Sequence, residues 1–413
     1  MVKLFRNARI FTPRDCGHPA AGPRQGEIVR FEKGAIIVEN GIVSLLGRED
    51  DVLDQAAVRA ADLEIDCRGL CLVPGFVDPH THMCFAGRRE AEFEMRIGGT
   101  PYLEILKRGG GILSSVKTLA AAAEAELYEN TRTHALSALR TGTTTVEIKS
   151  GYGLDTENEL KMLRVIDLVA RRTPLDVVPT FLGAHAVPPA FREAPEDYVS
   201  LIVEEMLPAV QKQGIARYCD VFCEEGAFTF DWSRRILQAA RALGMGVKIH
   251  ADEVHDLGGA GLAAELGAAS ADHLLAASSF NIARLAAAGV VAALLPATAY
   301  SLRKPYARAR EMIAAGVPVA LATDCNPGSC YTESMPFVIG LAVLNMGLSP
   351  AEALVAATLN AAYATGMQKK VGSLDAGKQA DLLLLDGESP SILAYHAGTS
   401  PVVAVYKQGE QVI

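Results

Sequence analysis

The chain opens and closes with short runs in which apolar and polar positions alternate, and between them the period switches back and forth. KLFRNARIF, EIVRFEKGAIIVENG, IVSLLG and EIDCRG, all within the first 70 residues, are alternating or β-branched and are cut by Gly and Asn. That is the pattern of strands whose successive side chains face opposite ways. The last 40 residues read alike, in ADLLLLDG and PVVAVYKQGEQVI. Chain ends often lie close together, so the pattern predicts one small β-sandwich domain built from both termini, residues 1–70 plus 376–413.

The middle, 71–375, alternates between two periods. Strand-like runs occur at LCLVPGFVDPHTH, TGTTTVEIKSG, LDVVPTFLGAH, RYCDVFCEEG, MGVKIHADE, SADHLL, VVAALLPAT and PVALATDCNPG. Ala/Leu/Glu-rich segments of helical spacing, such as ELKMLRVIDLVARR and SRRILQAARALG, separate them. Strand followed by helix, repeated eight times, predicts an α/β fold with a parallel sheet, and eight units in about 300 residues fit a (β/α)8 TIM-like barrel. A doubly wound open sheet is the alternative by pattern alone.

The barrel carries a positional expectation, because catalytic groups of such folds lie at the C-terminal ends of the strands. His80 and His82 end the first run, Lys149 the second, His185 the third, and Cys223 and Glu224 the fourth. His250 and Glu253 end the fifth, His273 lies in the sixth, the seventh offers Thr298 and Tyr300, and Asp324 ends the eighth. Five of the nine histidines therefore fall on one predicted face.

Composition narrows the partners. Half of the residues are hydrophobic and the formal net charge is −9, which speaks against nucleic acid or an anionic membrane, since both call for a basic footprint. An acidic metabolite is still admissible where a pocket carries an Arg. The start of the chain has no apolar stretch of signal-peptide length. The longest apolar runs, such as GVVAALLPATAY, fall short of the roughly 20 residues a bilayer requires, so a cytoplasmic protein is expected. The eight Cys are scattered and form neither a disulfide framework nor a thiolate metal site; Cys219 and Cys223 read as buried thiols.

His80-x-His82 sets two imidazoles on one face of a strand, because residues i and i+2 point the same way. With His250 and Asp324 at the ends of two other strands they make a mixed nitrogen and oxygen ligand set, suited to Zn²⁺ or Fe²⁺ over Mg²⁺ or Ca²⁺. Such a set leaves coordination open for water.

Together, PGFVDPHTH, KIHADE, LATDCNPG and the closing GSLDAGKQADLLLLD resemble the amidohydrolase superfamily over nearly the whole chain. Many members hold two metals bridged by a carboxylated Lys at the end of the fourth strand. Here that strand reads CDVFCEEGAF, without Lys, and Lys149 lies on the second. The resemblance therefore implies one divalent metal per chain, zinc or iron (Fe²⁺ or Fe³⁺), held by His80, His82, His250 and Asp324. His273 is implied as a catalytic or supporting group.

The ordered strings HTHMCFAGRREAEF, YLEIL, GGGILS, EIKSGYGLDTE, FLGAHAVP, HADE and TDCNPGS are similar to the branch of that superfamily that opens an imidazolone ring. The resemblance implies 4-imidazolone-5-propanoate and water as substrates, N-formimino-L-glutamate as product, and a place in histidine degradation. Family habit suggests a homodimer. Glu253, three residues past His250, is placed to act as base; Asp324 could share the proton, His273 could orient or protonate, and His185 is a donor candidate for a developing oxyanion. For substrate binding the resemblance points to Arg89, Tyr102, Tyr152, His185 and Glu253, with the Asn326, Gly328 and Ser329 turn offering an amide and backbone N–H groups to the acid side chain. The alternative for Arg89 is an ion pair with Glu90 or Glu92.

His18, His134, His255 and His396 belong to no motif, and Gly109–Gly111 suits a hinge better than a phosphate loop, since no GK[ST] follows. Two rivals remain open. One is another mononuclear amidohydrolase activity, such as deamination of a heterocycle. The other is an inactive barrel serving as a scaffold, which the intact ligand set disfavours.

Overall fold

A computed structural model of the chain describes residues 1–54, 61–100, 104–105 and 108–413. Two sheets organise them. The first is assembled from β1 (Val2–Thr12), β2 (Val29–Glu39), β3 (Ile42–Arg48), β4 (Leu63–Asp66) and β5 (Cys71–Pro74) of the N-terminal part, with β14 (Leu382–Leu385), β15 (Val402–Lys407) and β16 (Glu410–Gln411) of the C-terminal part. The second holds β6 (Phe76–Asp78), β7 (Thr143–Lys149), β8 (Asp176–Ala184), β9 (Tyr218–Cys223), β10 (Gly246–Ala251), β11 (Ser270–His273), β12 (Val291–Leu294) and β13 (Val319–Leu321). These eight pair in sequence order, every neighbouring pair parallel. Helices run between them, as the alternation of periods predicts. Among the described residues no helix is long and apolar enough to cross a membrane.

The barrel closes at its mouth. Asp324 N donates to His80 O at 3.0 Å and His82 N to Cys325 O at 2.9 Å, so the chain just past β6 pairs with the chain just past β13. Deeper in the same seam, Asp78 accepts hydrogen bonds from the Thr323 amide and hydroxyl. The open-sheet alternative is thereby excluded.

The run 71–82, expected to be one barrel strand, is divided between the sheets. Cys71–Pro74 pairs with β14 and, at two positions, with β1; only Phe76–Asp78 pairs with β7. Gly75 is the crossing point. A Cβ there would lie 2.3 Å from Thr144 Oγ1, so the step from one sheet to the other needs a residue without a side chain. Continuous hydrophobicity hid the break, because both halves are buried.

β14 shows how the sheets share their cores. Leu382 and Leu384 join Phe5, Ile10, Ile36, Val38, Leu72 and Tyr406 in a cluster of the terminal domain, while Leu383 and Leu385 face the barrel core with Phe76, Val73 and Val405. Four consecutive leucines thus serve two interiors through the period of 2. Lys407 adds a polar tie, pairing with Asp381 beside β14 and with Asp176 at the start of β8.

Candidate active site

Strand ends bring five groups close together at the barrel mouth, in two overlapping sets that share His80: His80, His82 and Asp324, and His80, His250 and His273. His80 Nε2 lies 3.1 Å from His82 Nε2, and His82 Nε2 lies 3.1 Å from His250 Nε2. Asp324 Oδ1 stands 3.6 Å from His80 Nε2 and 3.7 Å from His82 Nε2. All five side chains are buried. Asp324 and His273 carry left-handed backbone, with φ of 58° and 76°, uncommon for residues other than glycine. At the end of a strand that turn re-aims the side chain, and such strain gathers at functional sites.

The donor set fits a metal ion. His80 Nδ1 meets Asp272 Oδ2 at 2.6 Å and His250 Nδ1 meets Asp220 Oδ2 at 3.0 Å. The hydrogen bond to Asp272 requires the proton on His80 Nδ1, and the Asp220 carboxylate beside His250 Nδ1 favours it there too, which leaves bare lone pairs on both Nε2 atoms. Lone pairs converging at this range repel one another unless a cation lies between them. Ligands about 2.0–2.1 Å from a tetrahedral ion stand roughly 3.3 Å apart, which matches the separations here. Burial holds His80 and His82 well below the ordinary imidazole pKa, helped at His80 by the Lys149 ammonium. At His250 burial also acts downward, but the Asp220 carboxylate outweighs it and raises the value. Burial pushes Asp324 up to about 6. Its second oxygen accepts a 2.5 Å hydrogen bond from Thr298, just past the seventh strand.

His273 and Glu253 stand beside this cradle. The His273 ring lies 5.3 Å from that of His80 and 5.2 Å from that of His250. Its Nδ1 is 3.7 Å from Glu253 Oε1. The Glu253 loop is held by Glu224 at the end of β9, which accepts from the Val254 and His255 amides and meets His255 Nδ1 at 2.8 Å. His255, which no motif claimed, thus helps fix the loop that carries Glu253.

His185 stacks on His82, ring centres 5.0 Å apart and 23° between planes, and Tyr152 packs 5.5 Å from it. Its expected donor role does not hold. His185 Nδ1 lies 3.0 Å from the Gly151 carbonyl, which can only accept, so Nδ1 carries the proton and Nε2 the lone pair. Burial pushes its pKa down to about 3, ruling out the doubly protonated ring at neutral pH. His185 Nε2 is therefore an acceptor, not a donor. Glu159 holds the 151–154 loop beneath it, accepting from the Gly151, Gly153 and Leu154 amides.

Arg89 gives its Nε and Nη2 to Glu92 at 3.0 and 2.7 Å. The predicted ion pair is present, yet Nη1 remains and reaches over Gly328. A Cβ at Gly328 would meet that atom at 2.4 Å. Gly328→Ala should therefore displace the guanidinium and raise KM about tenfold or more, the cost of one charge-assisted hydrogen bond, while kcat changes far less. Steady-state kinetics check this, and an unchanged KM would remove Arg89 Nη1 from the binding site.

The turn after Asp324 differs from expectation. Its Gly328 and Ser329 amides both donate to Asn326 Oδ1 at 2.8 Å, and Asn326 Nδ2 donates to Asp324 O at 2.7 Å. The backbone donors foreseen for an anion are consumed in tying the turn. Arg96, not foreseen, reaches the same turn and donates to Gly328 O at 3.2 Å and to Ser301 Oγ at 3.3 Å. Tyr102 lies outside the described residues. His134 is buried against Glu333 at 2.8 Å and stacks on Phe85, away from the cradle.

Comparison with known proteins gives concordant results. The model of the amidohydrolase family matches residues 71–412. Imidazolonepropionase of Desulfotalea psychrophila is 63% identical over 410 residues, 99% of each chain. Imidazolonepropionase of Syntrophobacter fumaroxidans is 63% identical over 406 residues, 98% of this chain and 96% of its own. Among solved structures, an adenosine deaminase of Xanthomonas campestris with bound zinc superposes with a TM-score of 0.72 at 20% identity, covering 99% of this chain and 92% of that one. At that identity the likeness speaks for the fold alone.

Proposed function

The chain belongs to the amidohydrolase family, a family of metal-dependent hydrolases, and from that premise we propose that it hydrolyses the ring amide C–N bond of 4-imidazolone-5-propanoate to N-formimino-L-glutamate. The observation that carries the reading is the Glu253 carboxylate 3.7 Å from His273, whose ring packs on those of His80 and His250 in the cradle, with Tyr152 and His185 packed against His82 on the other side. The near full-length likeness to imidazolonepropionases supports the substrate.

His80, His82, His250 and Asp324 would hold one zinc or iron ion. The bound ion supplies Lewis acidity, making water acidic near neutral pH and drawing electron density from a carbonyl oxygen. Glu253 takes a proton from the attacking water as its oxygen bonds to the ring carbonyl carbon. Glu253 then passes that proton to the ring nitrogen as the C–N bond breaks, so the nitrogen gains one hydrogen; the second water proton stays on the new carboxylic acid and is lost to solvent as it ionises to the carboxylate. His273, 3.7 Å from Glu253, orients that carboxylate between the two transfers. His185 Nε2 accepts from a ring N–H. Arg89 Nη1 meets the propanoate, with the Ser329 hydroxyl at the same turn. Buried Tyr152 closes the wall beside His185 and excludes water.

The test is loss of the ultraviolet absorbance of freshly generated 4-imidazolone-5-propanoate, read against a no-enzyme control with metal content measured. Rapid loss with N-formimino-L-glutamate as product and about one metal per chain is expected. Ammonia release from a different heterocycle, with no acceleration here, would move the activity to deamination.

We infer further that the protein is a homodimer joined through the helix Met335–Met346. That helix is apolar around most of its circumference and leaves Leu344 68% exposed, and the helix Ile392–Tyr395 packed against it leaves Tyr395 87% exposed. Light scattering should give the mass of two chains, falling to one in Leu344→Glu; a single-chain mass for the unaltered protein would sink the inference.

A further inference from the structure

Below the metal cradle the barrel interior holds five charged side chains, all fully buried, that no step above uses. Lys149 Nζ lies 2.8 Å from Glu147 Oε2, 2.8 Å from Asp220 Oδ2 and 3.7 Å from Asp272 Oδ2. Lys248 Nζ lies 2.8 Å from Glu147 Oε2 and 3.9 Å from Asp272 Oδ2, and donates to Pro79 O, the carbonyl preceding His80. Thr180 also donates to Glu147. Asp220 Oδ2 and Asp272 Oδ2 are the atoms that meet His250 Nδ1 and His80 Nδ1.

We propose that Lys149 is a positioning residue that fixes His80 and His250 as one unit, its ammonium binding together the two carboxylates that orient them. Stability alone does not account for the arrangement. Taking such ions out of water costs several kcal/mol each, and hydrocarbon of equal volume fills a core without that cost. What hydrocarbon cannot supply is a fixed direction for two Nδ1–H bonds. The partners of a ligating histidine set its tautomer and its aim, and their loss typically costs 10–100-fold in metal affinity or activity. Each carboxylate has a separate anchor on its other oxygen: Asp220 Oδ1 accepts from the Val221 and His250 amides, and Asp272 Oδ1 from Ser270. Lys149 is the ion that both Oδ2 atoms share. Without it two like charges on β9 and β11, either side of β10, repel and rotate about those anchors, swinging both imidazoles off the common point.

The inference rests on the metal-site reading above, so its test separates the two. Metal-loaded wild type and Lys149→Met are mixed with excess chelator, and the rate of metal release is followed with kcat and KM. Release about tenfold or more faster from the variant is expected, with kcat down at least tenfold, KM within about threefold and the circular dichroism unchanged. Should Lys149→Met not fold, Lys149→Gln is read the same way. The second readout is additivity. Asp220→Asn and Asp272→Asn should be non-additive in their effect on release when Lys149 is present and additive in the Lys149 variant, a change that a merely space-filling lysine does not produce. Wild-type release kinetics and kcat in the variant, or additive effects in both backgrounds, would overturn the role of Lys149 while leaving the metal site standing. A wild type that binds no metal would overturn both.

Discussion

Asp324→Asn should lower kcat/KM at least about 10³-fold and leave the purified protein with well under one metal per chain. The substitution keeps the shape and removes one negative charge. Of the four groups at the cradle, Asp324 brings the sole carboxylate, its Oδ1 within 3.7 Å of two imidazole nitrogens and its Oδ2 held by Thr298. Three neutral imidazoles remain in the variant, so the charge attraction that retains a divalent ion in a buried site is lost. Lewis-acid stabilisation is worth several kcal/mol, and each 1.36 kcal/mol is tenfold in rate, so a loss of three decades is a floor. Metal analysis beside steady-state kinetics checks it. Full metal content and near wild-type rate in Asp324→Asn would remove this residue from the ligand set.

Glu253→Gln should behave otherwise: full metal, KM within a few-fold, and kcat lower by about 10²–10⁴, the usual worth of general acid–base catalysis. Glutamine fills the same volume and can still meet His273, so the loop held by Glu224 stays in place. What disappears is the lone pair that takes and returns the proton. If kcat stays near the wild-type value in Glu253→Gln and falls by that amount in His273→Asn, the imidazole is the base and the carboxylate its partner.

The strand-and-helix alternation disclosed the barrel, because eight parallel strands buried on both faces leave eight apolar runs ending in polar residues. The cradle was legible for the same reason, as His80, His82, His250 and Asp324 each sit where a run stops. What the sequence withheld is what needs a partner across the barrel. Glu147 and Lys149 in VEIK, Lys248 and His250 in VKIH, each two residues apart, announce polar side chains on one face. They do not say that Lys149 meets Asp220 from two strands away, nor that Asp272 in SADH holds His80. The donor sense assumed for His185 failed because its tautomer is set by the Gly151 carbonyl, on another loop. The Asn326 turn failed similarly: its composition suggests an anion nest, but a side chain two or three residues back can fill that nest first.

The placement of β5 ties catalysis to the far end of the polypeptide. This strand leads through Gly75 to His80 and His82, and its outer neighbour is β14, which pairs with it from Cys71 to Pro74, while the Gly75 amide donates to Asp381 O. β5 ends at Pro74 and β14 begins only at Leu382, after all eight barrel strands. Without β14 the segment carrying two of the four ligands lacks the partner that fixes its height against the barrel. A chain cleaved ahead of Leu382 keeps His80, His82, His250 and Asp324 yet loses the strand that pairs with Cys71–Pro74, so cleavage far from the barrel mouth acts on the height of two of its ligands.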